Sequence, residues 1–166
     1  KGSPKFNGSA KFFDGKRVIF SALASSGEIF YYSLPGIKNI KANVMLAANH
    51  GAAIDALSRG TADYAIVKNL VWEKNKDKYP NLEKIGEDKG ENPDMTLIIS
   101  KKTNKELVNK ISNILLKTKD DNSPTANEVK KMMSIQGFIK TTEKDFSHTL
   151  SLLKKAGVKK DFDFKF

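Results

Sequence analysis

The chain has 166 residues, 39% of them hydrophobic and 29% charged, which suits one domain or two small lobes with apolar content enough for a core. Its 29 basic against 19 acidic residues leave a net charge of +10, but the lysines are spread along the chain among acids, without a run of five or six like charges or an aromatic–basic platform. That pattern speaks against nucleic acid and leaves a modest field favouring anionic ligands. Cysteine is absent, which excludes disulfides, thiolate metal sites and cysteine nucleophiles, and two histidines, His50 and His148, are too few for a histidine metal centre.

No run is apolar for long enough to span a bilayer, and no signal peptide opens the chain, so Lys1 is not expected to be the natural start of an exported precursor. Residues 1–14 are polar and dotted with glycine and serine, as an incoming connector would be. The run Arg17-Val18-Ile19-Phe20-Ser21-Ala22-Leu23 predicts a buried strand. A Ser-Ser-Gly turn ends it, a helix is expected over Glu28–Tyr32, and Leu34-Pro35-Gly36 stops that helix. The unit then repeats, with a strand at Asn43–Ala48, a turn at Asn49-His50-Gly51 and a helix from Ala52 to Leu57 closed by Arg59-Gly60. A third strand follows at Asp63–Val67, with a short helix around Leu70-Val71-Trp72. Strand, helix, strand, helix, strand at this spacing is a parallel α/β unit with right-handed crossovers. Further strands are expected at Leu82–Ile85 and Met95–Ile99, then helices over roughly 104–118, 124–135 and 143–156.

In an open parallel sheet, ligands sit at the carboxyl ends of the strands, beside the strand-to-helix turns. Two turns here place polar groups there: Ser25-Ser26-Gly27 and Asn49-His50-Gly51. Each opens a helix, so backbone N–H groups and the positive end of the helix dipole face the crevice, and two hydroxyls, an amide and an imidazole complete a set suited to a phosphate-like oxyanion. Ser25, Ser26 and Asn49 serve equally well as plain helix caps, which need no ligand, whereas His50 is less readily explained as a cap. Tyr31, Tyr32 and Trp72 are most simply core or rim aromatics, with stacking on an organic ligand as the other use. The alternating tail Phe162, Phe164, Phe166 fits either an edge strand or an apolar contact. No GxSxG, HExxH or P-loop is present, and Asp120-Asp121 falls in a loop as turn residues, so no enzymatic role and no cofactor are expected.

Several blocks resemble, in order and spacing, the phosphonate/phosphate-type periplasmic substrate-binding proteins of ABC transporters. Phe13–Phe20 resembles the opening of that family's second lobe, Ala24-Ser25-Ser26-Gly27 its serine-rich turn, and Asn49–Leu57 with Gly60, Ala62 and Asp63 its histidine turn and the helix after it. Asn92–Ile99 resembles the strand that returns to the first lobe. The resemblance implies an α/β fold of the type 2 periplasmic-binding-protein kind. Residues 1–14 would be the incoming hinge, 15–92 the ligand-binding second lobe, and 93–166 a return strand and helices of the first lobe, whose own opening segment would precede Lys1. It implies a small anionic solute as ligand, a membrane permease as partner, and an extracytoplasmic location with a lipid anchor as one means of retention.

Two departures bear on the ligand. Ala24 stands where the family has a serine, which removes one hydroxyl. Near the end of the third strand, where aminophosphonate binders carry an acid for the ligand's ammonium, this chain reads Val67-Lys68-Asn69. Lys68 would repel an ammonium and attract an anionic oxygen, so phosphate, phosphite, an alkylphosphonate or a phosphate ester fits better than 2-aminoethylphosphonate. The expected ligand set is therefore Ser25, Ser26, Gly27, Asn49, His50 and Lys68. The alternative is a ligand-sensing or protein-contact domain of a membrane receptor that keeps the same fold.

Overall fold

Val18, Ile19 and Phe20 are apolar in succession because the strand that carries them is covered on both faces, as the central strand of a parallel sheet must be. In the computed structural model, which describes residues 2–93 and 95–163, this strand is β1 (Arg17–Phe20). It pairs in parallel with β2 (Asn43–Leu46) on one side and β3 (Tyr64–Ile66) on the other, giving the order β2-β1-β3. The alternation along β1 assigns each side chain to a face. Val18 and Phe20 point to one core, built with Ala10, Phe13, Tyr31 and Leu34. Ile19 points to the other, with Ala53 and Ala62.

These two clusters fix where the crossover helices lie. α1 (Ser26–Tyr32) joins β1 to β2 and brings Tyr31 to the first face, while α2 (His50–Ser58) joins β2 to β3 and brings Ala53 to the second. The sheet is thus wound on both sides, with the strand order reversing about β1. The ring of Tyr31 is enclosed by Phe13, Phe20 and Tyr32 at 5.1–5.6 Å between centroids, and burial, with the neighbouring Tyr32 phenol, pushes its own phenol up to about 12. Tyr31 is accordingly a core residue.

α2 stops as its sequence predicts. Gly60 takes a left-handed φ of +74°, its N–H reaches Leu57 O and the Thr61 N–H reaches Ala56 O, the paired bonds of a Schellman ending. At the amino end of the sheet, Asp63 accepts from the Arg17 backbone N–H at 2.8 Å and from its guanidinium at 2.8 and 3.2 Å, while the Asp63 N–H donates to Arg17 O. These bonds set the register of β3 on β1. After β3, α3 (Asn69–Asn75) is the short helix expected around Trp72.

The chain divides into two units, residues 1–90 with 147–166 and residues 91–146, as far as they are described. In the first, the connector at residues 3–6 lies along residues 83–86: Phe6 N–H donates to Ile85 O, and Gly86 is so close to Phe6 that a Cβ there would come within 2.8 Å of it. α6 (Ser147–Lys155) packs on α1 in the same unit. The second unit holds α4 (Lys105–Lys117) and α5 (Pro124–Met133).

Two expected strands are not formed. Residues 82–85 make the Ile85–Phe6 backbone bond and a local turn bond from Leu82 N–H to Tyr79 O instead of a ladder, and residues 95–99 carry no sheet pairing. An apolar run becomes a strand only where another strand meets its N–H and C=O groups, and the neighbours in the chain do not supply one here. The last expected helix is divided, a 3₁₀ turn at Glu143–Phe146 preceding α6. Of the phenylalanine tail, Phe164 and Phe166 lie outside the described residues, as does Asp94.

Candidate functional site

The carboxyl ends of the three strands carry the residues named above. β1 delivers the chain into Ser25, the N-cap of α1, whose Oγ accepts from the Glu28 N–H at 3.3 Å. β2 delivers Asn49, the N-cap of α2, whose Oδ1 accepts from the Ala52 N–H at 2.9 Å. Both side chains are therefore caps. Capping uses Ser25 Oγ as an acceptor and leaves its hydroxyl hydrogen directed by that bond, so capping and ligand donation are compatible in one serine. Ser26 and Gly27 are the first residues of α1, and His50 and Gly51 open α2, positions whose N–H groups have no partner within their own helix.

The two turns converge on the end of β3. A Cβ built on Gly27 would lie 3.0 Å from Ile66 Cγ2 and 3.2 Å from Ile66 O, so the bare α-carbon of Gly27 lets the first turn close onto the last residue of the strand. From the second turn, His50 Nδ1 accepts the backbone N–H of Lys68 at 3.3 Å. Since Nδ1 accepts, the neutral ring carries its proton on Nε2, which makes that nitrogen a hydrogen-bond donor. Gly27 and His50 thus hold the segment from Ile66 to Lys68 between them. Lys68 enters through its backbone and is the N-cap position of α3, with an exposed side chain.

Sequence reasoning missed Glu28. It is almost fully buried, at 4% exposure, and its carboxylate turns back to accept the Ala24 N–H at 2.5 Å while its own N–H caps on Ser25. This is a capping box displaced by one residue, and the Ser-x-x-Glu spacing of Ser25 and Glu28 was the signal for it. The bond also holds Ala24 at φ +58°, a left-handed conformation that a residue with a Cβ adopts at a cost of roughly 1–2 kcal/mol. Burial pushes the Glu28 carboxyl up, partly offset by the Ala24 N–H. Tyr32, on the next turn of α1, is likewise raised, first by burial and then by the Glu28 charge.

A small parallel sheet wound on both sides, with polar strand-to-helix turns gathered at its carboxyl edge, is an α/β arrangement consistent with a partial lobe of a periplasmic-binding-protein fold. A family model described as "ABC transporter, phosphonate, periplasmic substrate-binding protein" matches residues 8–146, and the chain belongs to that family. No curated protein and no solved structure gives a significant match.

Proposed function

We propose that the chain is the solute-binding component of an ABC importer, taking a phosphate-, phosphite- or phosphonate-like anion at the carboxyl edge of its sheet and delivering it to a membrane permease without chemical change. The family supplies the transport class. The observation that carries the anion is His50: with Nδ1 occupied by the Lys68 N–H, Nε2 is a donor beside the helix-opening N–H groups of α2. Ser25 and Ser26 add hydroxyls, Gly27 permits the close approach of the first turn, Asn49 orients the second, and Lys68 adds a positive charge that favours anions over ammonium-bearing ligands. In this reading residues 15–92 are the ligand lobe and residues 93–146 of the second unit belong to the opposing lobe, so that closure on the solute creates the form the permease accepts.

Calorimetric titration with phosphate, phosphite and methylphosphonate tests it. One of these anions is expected to bind, and His50→Ala to weaken binding roughly 10- to 100-fold, the worth of one hydrogen bond to a charged group. Absence of binding for all three would remove the anion reading and favour a receptor or protein-contact domain. Binding that survives His50→Ala unchanged would place the anion elsewhere.

A further inference from the structure

His148 and Asp88 are 60 residues apart in sequence, and their side chains meet at 2.7 Å, Nε2 to Oδ2. Neither is fully open to water, at 30% and 28% side-chain exposure. The other Asp88 oxygen, Oδ1, accepts the Gly90 N–H at 3.1 Å and so shapes the chain just before it leaves the first unit. Gly90 completes the arrangement: a Cβ there would lie 2.1–2.2 Å from three atoms of the His148 ring, so the imidazole rests on the bare α-carbon. His148 is the second residue of α6, and the first turn of a helix favours a carboxylate beside it.

The position of this cluster is what gives it meaning. The chain passes from the first unit to the second between Gly90 and Glu91 and returns between Phe146 and Ser147. Asp88 and Gly90 stand at the outgoing passage and His148 at the returning one. Both ends of the attached unit are therefore gripped at one point, by a carboxylate, an imidazole and a glycine that admits the ring.

We propose that Asp88, Gly90 and His148 form a clasp that sets how freely residues 91–146 move on the first unit. The clasp lies at the chain passages, apart from the turns at Ser25 and His50, and does not depend on which solute the protein binds. Breaking the pair releases the two passages from one another. Breaking it from either side has the same effect, so the two substitutions together do no more than one.

Because the chain has no cysteine, Lys38→Cys and Lys110→Cys, one exposed residue in each unit, give two unique spin-label positions in the full chain. The inter-label distance distribution, read by pulsed electron paramagnetic resonance, is expected to broaden in Asp88→Asn and in His148→Ala, and no further in the double variant. Amide exchange over residues 87–90 and 148–151 is expected to quicken roughly tenfold, the loss of one partly exposed charge-assisted hydrogen bond. His148→Gln, which keeps a neutral donor, serves if His148→Ala does not fold, and is expected to fall between the parent and Asp88→Asn. An unchanged distance distribution in folded variants overturns the proposal, whether or not the melting temperature falls, because a mere staple would lower stability without loosening the attachment. Additive broadening in the double variant also overturns it.

Discussion

At the scale of single residues, Asp63 and Glu28 show one side-chain chemistry in two environments. Arg17 holds the Asp63 carboxyl at about 2, chiefly by its side-chain hydrogen bond and then by its backbone N–H, against 3.8 for an ordinary aspartate. A depressed carboxyl stabilises the fold above its unfolded value and loses that contribution as it is protonated, so the Asp63 share is complete above about pH 4 and disappears as pH falls towards 2. Asp63→Asn should therefore lower the melting temperature at neutral pH and flatten its fall over that acid window, which thermal melts across pH would show. An equally steep fall in the variant would assign the acid limb to other carboxylates. Glu28 has the opposite sign. Burial raises its carboxyl, so its contribution is greatest below the usual glutamate value and declines as pH rises through the folded one. Glu28→Gln keeps an acceptor for the Ala24 N–H and removes the buried charge, so stability at neutral pH should hold or rise and the decline with pH should vanish. Glu28→Ala removes the acceptor as well and should cost about 1–2 kcal/mol in a denaturant melt. A glutamine variant as unstable as the alanine one would mean that the ionised carboxylate itself is what Ala24 requires.

Among elements, the close contact of the first turn with β3 hangs on Gly27. A methyl group added there meets Ile66 Cγ2 at 3.0 Å and the Ile66 carbonyl at 3.2 Å, and a carbonyl within a paired strand has little room to retreat. Gly27→Ala should destabilise the protein by about 1–3 kcal/mol, as overpacking does, and move the Ser25–Ser26 turn off the strand end. If the anion reading holds, affinity falls with it; a variant as stable as the parent would show that the turn can shift without cost. Such a contact is not written in a sequence, where Ser-Ser-Gly signals a turn but not what the turn lies against. The elements themselves were legible because each is a local pattern: three apolar residues at β1, Ser25 and Asn49 as caps, Gly60 as a stop. The strand ends were overestimated, since Ser21–Leu23 and Ala47-Ala48 continue the apolar run beyond the paired ladder. The two polar strand-to-helix turns could be placed from local pattern, but the Nδ1 acceptor role of His50 and the Asp88–His148 pair join residues 18 and 60 positions apart, and only the fold brings those together. Glu28 was within reach, since its spacing from Ser25 is a local signal that the turn reading passed over.

Across the whole molecule, the two units differ in how much apolar surface each encloses. The first buries Val18, Ile19, Phe20, Tyr31 and Ile54 almost completely, and truncating Phe20 alone to alanine would cost about 3–5 kcal/mol. In residues 91–146, Ala126 is the one buried hydrophobic among the described residues, while Leu107, Ile111 and Ile114, which form one stripe along α4, are all more than a third exposed. Leu97 and Ile98 are exposed at 62% and 92%, and their segment lacks the strand pairing that would protect its amides. Helical hydrogen bonds in α4 and α5 thus have good caps at Asn104 and Ser123 but little tertiary packing, and short helices in water are marginal without it. Local opening should follow this difference. Hydrogen exchange on the full chain is expected to show β1 and α1 protected up to the global unfolding free energy, with α4 and α5 exchanging at least about 100-fold faster. If the anion reading holds, the bound solute should slow exchange in α4 and α5 more than in β1, because the weakly packed unit has the more protection to gain. Equal protection in both units without solute would mean that the apolar stripe of α4 is covered in solution, and the contrast in burial between the units would then no longer govern how the protein opens.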